Sequence, residues 1–328
     1  MNEVNLNHFP FEYDLTWMSF FQNAEGQTYA RYGGREDHDA ESHMNKESLL
    51  RVMRQVLHLH ENGGVKPDNR YEPVGKTVRT PEDNPALAKM MAKRRESCIH
   101  CHDVKASALR HHRELGTLQK EMVFTYPSPR RLGIHLDPRV QYQVRSVDAS
   151  SPASAAGIRA GDLIRSIAGQ RILTFADATR VLELAPLKGA LPVVVQRDGR
   201  TVATSVRLAA GWRKNADVSW RPTTGAVGPL SGIWGRRAND RQRKQLGLGG
   251  DDLAMRVTYI WAPWARKTGI KFGDTIVSVD GHKADMTIRQ FQAWLHLNRN
   301  WGDTVTITVR RGQQDVDLAF KFPADPPN

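Results

Sequence analysis

Apolar positions change their period several times along this chain, and each change marks a predicted element. Residues 15–21, Leu-Thr-Trp-Met-Ser-Phe-Phe, form the apolar and aromatic run that a buried strand needs. Asn23, Ala24, Glu25 and Gly26 supply turn chemistry, and residues 28–32 read as the return strand, closed by Gly33 and Gly34. Asn45 stands where a helix N-cap belongs. Beyond it Leu49, Leu50, Val52, Met53, Val56 and Leu57 recur at helical spacing until Gly63 and Gly64 stop the pattern. Residues 61–86 hold Gly63, Gly64, Pro67, Pro73, Gly75, Pro81 and Pro85 and read as a linker or irregular wrap. Two helices are predicted next, over 86–96 and 104–115, the second ended by Gly116. A short turn or helix is expected at 119–124.

The C-terminal half repeats itself. Residues 156–169, Ala-Gly-Ile-Arg-Ala-Gly-Asp-Leu-Ile-Arg-Ser-Ile-Ala-Gly, return as residues 268–281, Thr-Gly-Ile-Lys-Phe-Gly-Asp-Thr-Ile-Val-Ser-Val-Asp-Gly. A repeat at domain spacing implies tandem modules rather than a short-period solenoid. Ile164 and Ile167, like Ile276 and Val279, alternate with other positions as half-buried strands do. Helices are predicted over 175–184 and 288–297. The signature Ser151-Pro152-Ala153 followed by Ala156-Gly157-Ile158, Gly161-Asp162 and Ile164 resembles PDZ domains of bacterial envelope proteases and chaperones. The second unit resembles them from Ala265 to Gly281. The resemblance implies that Leu132, Gly133 and Ile134 form a carboxylate-binding loop, so that a peptide C-terminus adds as a strand beside it. The corresponding loop near Ser231–Gly235 is less regular and precedes a charged, Gly-rich insert over 236–252, so weaker peptide binding is expected there. Trp261, Trp264, Trp294 and Trp301 read mostly as core, with Trp261-Ala262-Pro263-Trp264 as an interface marker.

Composition adds limits. Hydrophobic residues make up 40% and charged residues 25% of 328, an ordinary globular mixture for two or three domains. No apolar run reaches about 18 residues, so no membrane span is predicted. The start, Met1 to Pro10, is polar, and no secretory leader is legible in it. Forty-seven basic against 35 acidic residues leave a net charge of +12. A solvated basic surface, an acidic redox partner or anionic lipid head groups would each fit it, and no nucleic-acid motif accompanies it. Neither a Ser–His–Asp arrangement nor a Gly-rich phosphate loop is legible, which points away from a hydrolase.

The most specific chemistry is Cys98-Ile99-His100-Cys101-His102, which holds both cysteines of the chain. C-x-x-C-H is the pattern of covalent haem c attachment, with His102 as proximal iron ligand. Met122, His111 and His112 are the candidates for the sixth position. A zinc site using Cys98, Cys101, His102 and His111 or His112 is the alternative cofactor reading.

Residues 12–34 and the helix after them resemble the C-terminal half of a thioredoxin-like domain. Thr16 stands where that family carries a cis-proline, and the redox half is missing, so the resemblance implies absent upstream sequence. With Gly33-Gly34-Arg35, Cys98–His102 and Gly211-Trp212-Arg213-Lys214, the whole order resembles a family of bacterial envelope proteins well represented in planctomycetes. The expectation is an α+β multidomain chain. It has a thioredoxin-like remnant (1–64), a linker and helical haem c segment (65–128), and PDZ modules at 129–212 and 213–328. The function expected is periplasmic electron transfer or redox sensing by a haem protein that is not a hydrolase, docked to protein partners through PDZ-bound C-terminal peptides. A non-haem PDZ scaffold with zinc, and a haem peroxidase-like enzyme, are the competing readings.

Overall fold

The computed structural model describes residues 1–63, 79–92, 94 and 98–325. Most of the linker predicted over 61–86, and the end of the helix predicted over 86–96, lie outside them. The chain forms two compact units. One comprises residues 1–117 and 124–216, the other residues 118–123 and 217–328. Both mix helix with β-rich modules, as the sequence suggested, and among the described residues no helix is long and apolar enough to cross a membrane.

The first unit begins with a hairpin of β1 (Met18–Gln22) and β2 (Thr28–Gly33), paired antiparallel with Phe20 opposite Arg31. Helix α1 (Lys46–Glu61) follows, and the Asn45 side chain accepts the Ser48 N–H at 2.9 Å, as the N-cap reading required. The predicted apolar stripe is only partly used. Val52 is buried and Leu49 and Val56 pack beside it against Ala30 and Tyr32, whereas Leu50, Met53 and Leu57 face solvent. Helices α2 (Pro85–Met91) and α3 (Cys101–Glu114) come next and share a small core of Leu6, Leu87, Ile99 and Val104.

The first module then runs β3 (Ile134–Leu136), β4 (Val144–Val147), α4 (Pro152–Ala155), β5 (Leu163–Ile167), β6 (Gln170–Arg171), α5 (Phe175–Leu184), β7 (Gly189–Arg197) and β8 (Arg200–Leu208). Strands β3 and β4 pair with each other, and the second sheet has the order β6-β5-β7-β8. Both wrap a core that includes Leu132, Ile134, Ile164, Phe175, Leu182 and Val195.

The second unit repeats the plan with β9 (Ile233–Arg237), α6 (Asp240–Gln245), β10 (Met255–Ile260), α7 (Pro263–Arg266), β11 (Thr275–Val279), α8 (Ile288–Asn298), β12 (Thr304–Arg311) and β13 (Gln314–Lys321). Its five strands lie in the order β13-β12-β11-β10-β9. Strands β3 and β4 are therefore both edges of their sheet in the first module, and β9 and β13 are the edges in the second. Helix α6 belongs to the insert that the first module lacks.

One lock recurs in both modules. The Gly-Asp step of each repeat buries its carboxylate, and an arginine at the end of a distant strand clasps it. Arg197 donates to Asp162 at 2.7 and 2.8 Å and to the Gly157 carbonyl at 2.7 Å. Arg311 donates to Asp274 at 2.8 and 2.7 Å and to the Gly269 carbonyl at 3.1 Å. The same carboxylates accept the N–H groups of Arg159 and Lys271. Such bidentate, charge-assisted pairs fix a turn more firmly than neutral hydrogen bonds.

His296 on α8 is buried, with Nδ1 2.9 Å from the Pro229 carbonyl. Burial, with Lys120 adding repulsion, pushes its pKa from 6.5 down to about 4. A lowered cation pKa contributes stability that is present above the unfolded value and lost as pH falls through the folded one. The second unit should therefore lose stability between about pH 6.5 and pH 4. In thermal melts across that range, His296→Gln should flatten the dependence. Superimposable profiles would count against a neutral buried ring.

Candidate functional site

The Cys98–His102 stretch is a turn tied down from the inside. Ile99 is its buried anchor, and the Met1 ammonium donates to the Ile99 carbonyl at 2.8 Å. Asp103, buried in the first turn of α3, accepts the His100 N–H at 2.9 Å and both N–H arms of Arg94 at 2.7 and 2.6 Å. Burial alone would raise its carboxyl, yet Arg94 and the His100 N–H hold it below the usual range. Cys98 is exposed and Cys101 half-buried, and burial pushes the Cys101 thiol up. His102 is half exposed, with Nε2 3.8 Å from Asp103.

The histidines of the expected ligand set do not come together at this turn. His111 and His112 lie on the same helix as His102, nine and ten residues further on. At the helical rise that is about 14 Å along the axis, too far to share one metal with His102. Met122 belongs to the other compact unit. Among the described residues, no group of three or more His, Cys, Asp or Glu side chains could hold a metal ion. Spacing along the chain identified a motif, but the straight helix after it spreads the histidines apart.

The other candidate site is the space between an edge strand and a helix that share one core in each module. In the first module the walls are β3 and α5. Gly133 adopts φ +82° at the turn into β3, and its N–H donates to the Arg130 carbonyl at 2.9 Å. Its carbonyl accepts the Asp148 N–H at 2.9 Å. Leu132 and Ile134 point into the core, so the three residues that sequence singled out shape the loop from within.

The chain's own N-terminal part touches α5 and the segments that flank β3. His43 stacks flat on Phe175 of α5, with centroids 3.5 Å apart, and its carbonyl accepts Gln141 Nε2 at 2.6 Å. Asn45 Nδ2 donates to the Pro138 carbonyl at 2.8 Å. The Arg31 N–H donates to Asp177 of α5 at 2.9 Å. Glu36, buried, meets Arg130 Nε at 2.8 Å, His43 Nε2 at 3.1 Å and the Ser128 hydroxyl, just before the loop. Burial would raise its carboxyl, but His43, Ser128 and Arg130 together hold it low. An internal carboxylate thus sits next to the loop expected to receive a peptide's terminal one. Nothing in the spacing of Glu36 announced this, because Ser128, 92 positions on, and Arg130 beyond it are remote in sequence.

In the second module β9 and α8 form the walls. Gly232, φ +75°, matches Gly133, and its carbonyl accepts the Trp261 N–H as that of Gly133 accepts Asp148. Here the helix itself spans the cleft. Gln292 Nε2 donates to the Ser231 hydroxyl at 2.6 Å and to the Ile233 carbonyl at 3.0 Å, while its Oε1 accepts the Ser231 N–H at 3.3 Å. The position equivalent to Gln292 in α5 is Thr179, which bonds only back to Ala176 of its own helix.

Comparison with known proteins agrees with this geometry. Residues 143–197 and 262–322 each match the PDZ domain family, so the chain carries two PDZ domains. No curated protein matches it. Among solved structures, similar chains include the HtrA-type protease AlgW with tripeptide (16% identity, TM-score 0.28, 51% of this chain and 60% of that one). The same protease with decapeptide aligns at 15% identity and TM-score 0.28, over 51% of this chain and 56% of that one. The chain thus spans little more than half the length of these proteins. Two expectations are corrected here. The domains matched are PDZ domains, not a haem c electron carrier. Neither the electron-transfer function nor the exclusion of a hydrolase is carried forward.

Gly133 is also a test of the loop. A Cβ there would come within 2.2 Å of Ser151 Cβ, and the positive φ adds strain for any L side chain. Gly133→Ala should cost about 2–4 kcal/mol in urea unfolding. An unchanged midpoint would show that the turn adapts freely.

Proposed function

We propose that this protein is a peptide-docking adaptor whose first PDZ module accepts the C-terminus of a partner protein. The observation that supports it most is the edge position of β3, with α5 alongside and the left-handed Gly133 turn before it. An added strand would find backbone partners on β3, and its terminal carboxylate would lie toward the Gly133 turn. The second module contributes less to this activity, because Gln292 already bridges its helix to its edge strand.

On this reading the segment around Glu36 and His43 covers the cleft and is displaced by the incoming peptide. The cost of displacement lowers apparent affinity by the fraction of time the cleft is closed. Loosening the cover should therefore strengthen binding.

Isothermal titration of the full chain with a peptide ending in an apolar residue tests both parts. The free-carboxylate peptide should bind roughly tenfold or more tightly than its C-terminal amide, since a buried charge-accepting loop left empty is costly. Glu36→Ala should raise affinity for the free-carboxylate peptide several-fold. Equal affinity for acid and amide would overturn the docking mode. A weaker or unchanged Glu36→Ala would overturn the cover.

A further inference from the structure

The two modules share a backbone plan but present opposite chemistry on one sheet face. In the first module His135 pairs with Ser146 across β3 and β4, and His135 bonds Asp148 at 2.7 Å. In the second, Trp234 pairs with Tyr259 across β9 and β10 at the same register. Trp261 takes the place of Asp148, as their matching bonds to Gly232 and Gly133 show. In the turn that follows, Phe272 stands where the first module has Ala160. All four aromatics are exposed, Tyr259 at 60% and Phe272 at 73%. Clustered, exposed, large aromatic side chains mark interaction surfaces in a way that scattered ones do not.

The same face carries unbalanced positive charge. Arg236 and Arg256 are direct cross-strand partners, an arrangement that like charges disfavour. Neither has an ion-pair partner among the described residues. Beside Arg256 opens a groove of about 380 Å³, lined by Gln242, Arg256, Lys271, Phe272, Asp274 and Arg310. Asp274 is already clasped by Arg311, and Arg310 by Asp315, which leaves Arg256 and Lys271 facing the space. Helix α6, from the insert that only this module has, supplies the wall through Gln242.

We infer that this face of the second module docks an acidic polypeptide segment. Its apolar side chains would pack on Trp234, Tyr259 and Trp261, and a carboxylate would enter the groove toward Arg256 and Lys271. Tryptophan, tyrosine and arginine together are the residues that dominate binding at protein interfaces. A recessed groove with two uncompensated cations beside exposed aromatics favours an acidic polypeptide over a flat lipid surface, and a second copy would bring the same basic face against it. This surface is the solvent side of β9 and β10 rather than the space between β9 and α8, so the inference stands independently of the docking activity proposed above for the first module.

The test uses the full chain and a fluorescein-labelled peptide of alternating Asp, Glu and Leu, amidated at its C-terminus so that a carboxylate-dependent cleft is not engaged. Anisotropy should report binding that weakens with added salt. Grafting the first module's residues (Trp234→His, Tyr259→Ser and Trp261→Asp) should weaken it about tenfold or more, and Arg256→Gln alone several-fold. The grafted residues are exposed and already tolerated at this register, so circular dichroism should be unchanged. Equal binding by the grafted protein would overturn the inference. So would absence of peptide binding, or binding only to phosphatidylcholine–phosphatidylglycerol vesicles or to single-stranded DNA.

Discussion

A buried carboxylate clasped by a distant arginine governs how each module presents its edge strand. Asp162, held by Arg197 and by the Arg159 N–H, fixes the turn that precedes β5. That turn exchanges backbone bonds with β4: the Val144 N–H donates to the Asp162 carbonyl, and the Gly161 N–H to the Val144 carbonyl. Strand β4 in turn positions β3, which is left at the edge with α5 beside it. The second module repeats the chain of dependence through Asp274, Arg311, Val257 and Gly273. Two acid–base pairs thus determine where a peptide could add.

On this common plan the modules have diverged. The first has a polar sheet face and a cleft in contact with its own N-terminal segment, where Glu36 supplies an internal carboxylate. The second has its cleft bridged by Gln292, yet displays aromatics and arginines on the sheet face. The buried cores are of one kind, aliphatic with a few aromatic rings. Divergence is confined to side chains that the cores do not use, which is where packing leaves sequence free to change.

The repeat was the most legible feature of the sequence because local chemistry produces it. Gly-Asp turns, the alternation at Ile164 and Ile167, and Asn45 as a helix cap all act within a few residues. The arginine partners were not legible, since Arg197 and Arg311 lie 35 and 37 positions from their aspartates. The α1 stripe was read too broadly. Helical spacing shows which residues share a face, but the hairpin offers room for Leu49, Val52 and Val56 only. Cys98–His102 shows a related limit. A motif specifies neighbours in sequence, whereas a ligand set is made by the fold, and α3 carries His111 and His112 away from His102. The exposed aromatics of the second module were half-read: Trp261 was marked as an interface residue, but its alignment with Trp234 and Tyr259 depends on strand register.

Hydrogen–deuterium exchange of the full chain, with and without a saturating free-carboxylate peptide, tests the docking account most directly. The account predicts slowed exchange at residues 132–136 and 175–184, together with faster exchange at residues 34–43 as the cover leaves the cleft. Peptide binding that protects some other region, with exchange at 132–136 and 34–43 unchanged, would contradict it.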